Sequence, residues 1–150
     1  MNLINEIEVD EQVEKQAMYT SCIILTHDEK ILLQFRPPNW RTFPGYICCF
    51  GGKIDADESP QEAIIREINE EVGGQVMSNR LRCLGAYTEQ ITEHKEIIFG
   101  YFWHDKNNTI TGCYEAEAKL FNSLSEVELQ PKVMDDTMWL LRICANKNLI

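Results

Sequence analysis

Gly51 to Gly74 reads GGKIDADESPQEAIIREINEEVGG, and the fold turns on how this stretch is read. Its punctuation is that of a strand running into a helix. The paired glycines follow a short apolar run, ICCF, at 47–50. Ser59 stands where a helix N-cap belongs, Pro60 suits the first helical position, and Glu62 completes an S-x-x-E capping box. Gly73 or Gly74 supplies the C-terminal stop. At about 100° per residue, Ile64, Ile65, Ile68 and Val72 share one face, and Glu67, Glu70 and Glu71 fall on a neighbouring arc.

That arc raises a question of charge. The segment carries seven carboxylates (Asp55, Asp57, Glu58, Glu62, Glu67, Glu70, Glu71) against Lys53 and Arg66. Carboxylates three and four residues apart on a helix repel by a few tenths of a kcal/mol per pair when exposed, and by more when partly buried. Glu67, Glu70 and Glu71 have no cation four residues further on. A solvated acidic face is one reading. The other is a divalent cation, because fully charged oxygen ligands suit Mg²⁺, with Mn²⁺ as a substitute.

Strand-like runs flank the segment at 17–27, 31–35, 47–50, 81–90, 96–105 and 116–122, and a second helix is expected over 132–147. Pro37, Pro38, Pro44 and Gly45 mark 36–46 as a loop. Residues 1–16 read as a charged N-terminal arm, loose or forming a short helix, ahead of one domain over 17–150. Strands separated by two good helices predict an α/β domain, a mixed sheet with helices packed on its faces.

Composition narrows the function. The 150 residues are 44% hydrophobic, enough for one sizeable core. The formal charge of −10 argues against a nucleic-acid polymer or an anionic membrane as partner. There is no apolar run of transmembrane length and no signal-peptide core. The six cysteines form no CxxC pair and several lie in apolar runs, which predicts reduced, mostly buried thiols in the cytoplasm. His27, His94 and His104 are scattered and read as surface or satisfied polar residues.

The segment resembles the signature of the Nudix hydrolases, G-x5-E-x7-R-E-U-x-E-E-x-G-U, where U is aliphatic. Gly52, Glu58, Arg66, Glu67, Ile68, Glu70, Glu71 and Gly73 match in register, and Gly74 departs at the last position. That loss is expected to weaken packing just past the helix. Phe50 is a second departure, where MutT-like members often carry Pro. The resemblance implies an α/β/α sandwich and hydrolysis of a nucleoside diphosphate linked to another group. The implied substrate is a small-molecule nucleotide, with an oxidised purine triphosphate among the candidates. Dinucleoside polyphosphates, ADP-ribose and nucleotide sugars stay open, as do a non-catalytic nucleotide-binding module and a homodimer.

The resemblance also implies roles. Glu70 and Glu71 are metal ligands, Glu67 is a ligand or the base that activates water, and Gly52 offers a backbone carbonyl. Glu58 pairs with Arg66 or supports the metal shell, and Arg66 orients carboxylates. Glu117, with Glu115 behind it, is a further acidic ligand or base; the alternative is a solvated strand edge. Arg36 and Lys53 are phosphate contacts, though Arg36 reads equally as a surface arginine. Trp40, Phe43 and Tyr46 either stack on a base or pack the core. In MDDTMWLL (134–141), Asp135 and Asp136 resemble the acidic pair that faces the base in nucleotide-sanitising members. The alternative is a pair that simply caps the helix.

Overall fold

The structure is a computed structural model and describes residues 2–150. In chain order it consists of β1 (Ile4–Ile7), α1 (Glu11–Gln16), β2 (Tyr19–Leu25), β3 (Ile31–Phe35), β4 (Ile47–Cys48), β5 (Phe50–Lys53), α2 (Pro60–Val72), β6 (Arg82–Glu89), β7 (Ile98–His104), β8 (Glu117–Phe121), α3 (Leu124–Glu128) and α4 (Asp135–Asn146). The eight strands form one sheet in the order β1-β6-β7-β2-β3-β4, with β5 also paired to β2 and β8 to β3. β2 and β7 run parallel and the other pairs are antiparallel, so the sheet is mixed as expected.

Alternation along β2 divides the core. Cys22 and Ile24 point to the face covered by α2, where Ile64, Ile68 and Val72 are fully buried. Ile23 and Leu25 point to the other face, against Leu140, Leu141 and Cys144 of α4. Each such aliphatic side chain contributes about 2 kcal/mol by leaving water. The result is an α/β/α sandwich. The α2 punctuation forms as read: Ser59 Oγ accepts from the Glu62 N–H at 3.1 Å, and the Glu62 carboxylate accepts from the Ser59 N–H at 3.0 Å. Gly73 closes the helix in the left-handed region, at φ 73°.

Several details differ from the sequence reading or go beyond it. The run 47–50 is not one strand: Ile47–Cys48 pairs with β3, and Phe50–Lys53 pairs with β2. β2 meets β3 only at Ile24 and Leu25 and meets β5 over Tyr19–Cys22, so the sheet parts between β3 and β5. A Cβ on Gly51 would run into the Thr20 carbonyl, so this close crossing requires glycine. Segment 1–16 supplies both a short helix and an edge strand, with Ile4 opposite Glu89 and Ile7 opposite Ala86; Met1 lies outside the described residues.

Gly74 does not loosen the packing. A Cβ there would come within 2.8 Å of both Ile68 and the Trp103 ring, so the indole, 3% exposed, fills the space an aliphatic residue would need. His104 is not satisfied, since its Nε2 is buried without a hydrogen-bond partner. The six cysteines are free, and Cys22, Cys48, Cys49 and Cys144 are buried. No helix among the described residues is long and apolar enough to cross a membrane.

Candidate active site

The glutamates of α2 separate by depth. Glu71 is 4% exposed; Glu67 is largely covered; Glu70 is exposed. Helical spacing places Glu67 and Glu71 one turn apart above the Gly51–Gly52 crossing. Glu71 accepts from the Gly51 N–H at 3.2 Å. A Cβ on Gly52 would lie 2.6 Å from the Glu67 carboxylate, so this glycine makes room for that group.

Arg66 is the hub of the cluster. Its Nε and one terminal nitrogen grip both oxygens of Glu58, at 2.7 and 2.9 Å. The other terminal nitrogen donates to Glu67 at 2.9 Å and to Glu70 at 3.3 Å. The guanidinium also donates to the Lys53 carbonyl at 3.0 Å. The cation missing after Glu70 is therefore supplied four residues before it. These bonds hold Arg66 firmly protonated and pull the Glu58 carboxyl below its ordinary range.

Glu71 stays outside this arrangement. Burial, with the charges of Glu115 and Glu67, pushes its carboxyl up to about 8. Burial also raises Glu67, against the pull of Arg66. Glu115 acts on both, because the preceding loop is tied to the end of α2: the Tyr114 N–H donates to the Glu71 carbonyl at 2.9 Å, and the Thr111 N–H to that of Val72 at 2.9 Å. Glu117 sits instead on the exposed stretch of β8, opposite Phe35.

A cleft of about 540 Å³ opens where the sheet parts. Gly51 and Gly52, Gln34, Arg36 and Phe43, and the acids Glu89 and Asp136 are among the residues that line it. Gln34 spans the parting, its amide donating to the Cys49 carbonyl at 3.0 Å. Arg36 donates to the carbonyl and hydroxyl of Thr42, each at 3.0 Å, and stands 6.0 Å from the centre of the Phe43 ring. Phe43 packs edge-on to Tyr46. Trp40 lies in the adjoining loop and Lys53 on the exposed end of β5, next to Gly52; neither lines the cleft.

The adjacent aspartates part company. Asp136 accepts from the Tyr87 hydroxyl at 2.9 Å and lines the cleft, and burial raises its carboxyl. Asp135 is exposed and accepts from the Asn2 N–H at 3.2 Å. Neither is the N-cap of α4; that residue is Met134, which makes no side-chain cap bond. Glu89 was not singled out in the sequence. The available signal was an acid closing a strand directly after Ala86, Tyr87 and Thr88, with no turn residue between. It is 8% exposed, and burial beside Asp136 pushes its carboxyl up to about 7.

Residues 15–140 match the sequence profile of the NUDIX domain, most of the chain. The chain belongs to the Nudix hydrolase family. A curated relative, the uncharacterized Nudix hydrolase YvcI of Bacillus subtilis, is 32% identical over 79 residues. That match takes in 53% of this chain and 45% of the relative, so the chain aligns with about half of the relative's length. Among solved structures, the Bacillus subtilis pyrophosphohydrolase BsRppH superposes with a TM-score of 0.71 at 20% identity, covering 99% of this chain and 94% of that one. The Escherichia coli ORF135 protein gives 0.64 at 23% identity, covering 89% and 93%. At these identities the two structures speak for the Nudix fold.

Nudix proteins work with divalent cations. Among the described residues, no three acidic, thiol or imidazole side chains converge as a ready-made cage. Glu58, Glu67 and Glu70 are paired with Arg66 instead. The donor set still suits a hard cation. Glu71 is buried with no cationic partner among the described residues, and Glu67 and Glu70, now held by Arg66, would be the further carboxylates to hold a metal beside it.

Proposed function

We propose that this Nudix protein hydrolyses nucleoside triphosphates to a nucleoside monophosphate and pyrophosphate, with Mg²⁺ as cofactor and Mn²⁺ able to replace it. The observation that carries the reading is one cleft lined both by Asp136 and by Gly51 and Gly52, with the Gly51 N–H donating to Glu71 of α2. A purine triphosphate, including an oxidised one, would set its base at Asp136 and its phosphates toward the glycines. Free thiols suit the reducing cytoplasm as the place of action.

Glu67, Glu70 and Glu71 would hold the metal, with the Gly52 carbonyl beside them. When bound, the metal neutralises the phosphates, lowers the pKa of water and steadies the leaving oxygen. Glu115 or Glu67 takes the proton of the attacking water, whose oxygen bonds to phosphorus as the bridging P–O bond breaks. Arg36 faces the phosphate chain from the cleft side. Glu58 and Arg66 orient Glu67 and Glu70, and Asp136 accepts N–H groups of the base.

A panel of nucleoside triphosphates, dinucleoside polyphosphates, ADP-ribose and nucleotide sugars, assayed with and without Mg²⁺, tests the reading. Metal-dependent release of pyrophosphate from a triphosphate is expected. Turnover of a sugar nucleotide or dinucleotide with inert triphosphates would overturn it.

A further inference from the structure

The cleft is lined by two carboxyl groups from different elements, Asp136 from the first turn of α4 and Glu89 from the end of β6. Glu89 is held from the N-terminus. The Asn2 side-chain amide nitrogen donates to its Oε1 at 3.2 Å, while the same side chain's Oδ1 accepts from the Ile91 N–H at 2.9 Å. The Asn2 backbone N–H reaches Asp135, and the Leu3 carbonyl accepts from the Gln90 N–H at 2.9 Å. A single residue ahead of β1 thus ties the β6 end to the start of α4. It also leaves Glu89 Oε2 with no hydrogen bond among the described residues.

We propose that Glu89 is a base-specificity residue of this cleft, that it selects a guanine-type edge together with Asp136, and that Asn2 is its positioning residue. The proposal rests on the nucleotide-hydrolase reading. A guanine edge presents two adjacent donors, N1–H and the N2 amine, beside one acceptor, O6. An ionised carboxylate takes both donors, and a protonated carboxyl serves the acceptor. Two carboxyl groups confined in one cleft resist double ionisation. Burial raises the Asp136 carboxyl, while the Tyr87 hydroxyl that donates to it and the Arg36 charge favour its ionised form. Glu89 faces Asp136 and Asp135 from α4 and Glu96 from the β6–β7 connection, with the neutral Asn2 amide as its hydrogen-bond partner. Burial beside Asp136 raises the Glu89 carboxyl to about 7, so around neutral pH it exchanges between the two forms, and its protonated form would be the donor to O6.

The test uses the full chain. Binding of GMP, IMP and CMP is measured by calorimetry without metal between pH 6 and 8.5, and kcat/KM for GTP and CTP with Mg²⁺, for wild type, Glu89→Ala, Glu89→Gln and Asn2→Ala. Wild type is expected to prefer GMP to CMP, and to lose that preference as pH rises through about 7. Glu89→Ala lowers guanine binding and kcat/KM about tenfold or more, with far smaller losses for cytosine. Glu89→Gln keeps guanine binding at pH 7, because an amide donates as the protonated carboxyl does, and flattens the pH dependence. Asn2→Ala moves the pH midpoint upward, since a hydrogen bond to the ionised form is gone. No GMP preference in wild type, equal losses for both bases, or Glu89→Gln as damaging as Glu89→Ala would overturn the proposal; if Glu89→Ala does not fold, the glutamine variant and the wild-type pH profile decide. A wild type that binds GMP selectively but hydrolyses no triphosphate would instead sink the hydrolase reading alone.

Discussion

Arg66 grips Glu58 through two parallel hydrogen bonds, Nε to Oε2 at 2.7 Å and a terminal nitrogen to Oε1 at 2.9 Å. Glu58 lies just before the N-cap of α2 and Arg66 two turns into it, so the pair fastens the incoming loop to the helix. The same guanidinium aims Glu67 and Glu70. Lysine has one charge centre and no fork. Arg66→Lys should therefore cost about 1–2 kcal/mol in denaturant melts and weaken metal binding, read by calorimetry with Mn²⁺. Unchanged values would reduce Arg66 to an ordinary surface cation.

Glu71→Gln and Glu70→Gln separate two effects of charge. Glu71 is buried and Glu70 exposed, so only the first substitution removes a desolvated anion. Glu71→Gln should raise the melting temperature of the metal-free protein at pH 8, leave no stabilisation by Mg²⁺, and cut turnover at least a hundredfold. Glu70→Gln should lower turnover with little change in the metal-free melt. Chelation of the wild type by EDTA should stop turnover reversibly. Wild-type turnover in Glu71→Gln at limiting Mg²⁺ would remove it from the ligand set.

Stability should depend on pH in a defined direction. The Glu71 and Glu89 carboxyls are raised to about 8 and about 7 in the folded protein. Between the ordinary carboxylate range and these values the folded chain holds more protons than the unfolded one, so stability falls as pH rises. The metal-free melting temperature should drop by on the order of 5 °C from pH 5 to pH 8.5, and Mg²⁺ should restore part of it at the alkaline end. A melting temperature rising across that window would contradict the burial argument.

Glu115 and Glu117 offer a paired comparison. The first bears on Glu67 and Glu71 from the loop tied to α2; the second stands on exposed β8. Glu115→Gln should lower kcat tenfold or more with KM nearly unchanged, and Glu117→Gln should alter neither by more than twofold. The reverse pattern would move the extra acid to the strand.

The adjacent aspartates make another pair. Asp136→Asn replaces a cleft acceptor bonded to Tyr87, whereas Asp135→Asn changes an exposed residue. Asp136→Asn should lower kcat/KM for dGTP and 8-oxo-dGTP by about 10²-fold relative to dCTP. Asp135→Asn should shift all three together and slightly. Equal losses across bases in Asp136→Asn would end its base-reading role.

Much of this molecule was legible in one dimension, because the relevant physics is local. Capping at Ser59, the apolar face of α2, the glycine stop and the alternation of β2 depend on near neighbours in the chain. The spacing of Glu67, Glu70 and Glu71 placed an acidic arc on one helix without any knowledge of its surroundings. What that arc meets was decided in three dimensions. The parting of the sheet between β3 and β5, the Trp103 ring in place of a side chain at position 74, and the anchoring of Glu115 rather than Glu117 all depend on strands distant in sequence. Burial and pKa are properties of the surroundings, so equivalent glutamates in a string became a buried Glu71, a guanidinium-bound Glu67 and an exposed Glu70. For the same reason Glu89 was invisible as a site residue until Asn2 and Asp136, from opposite ends of the chain, closed around it.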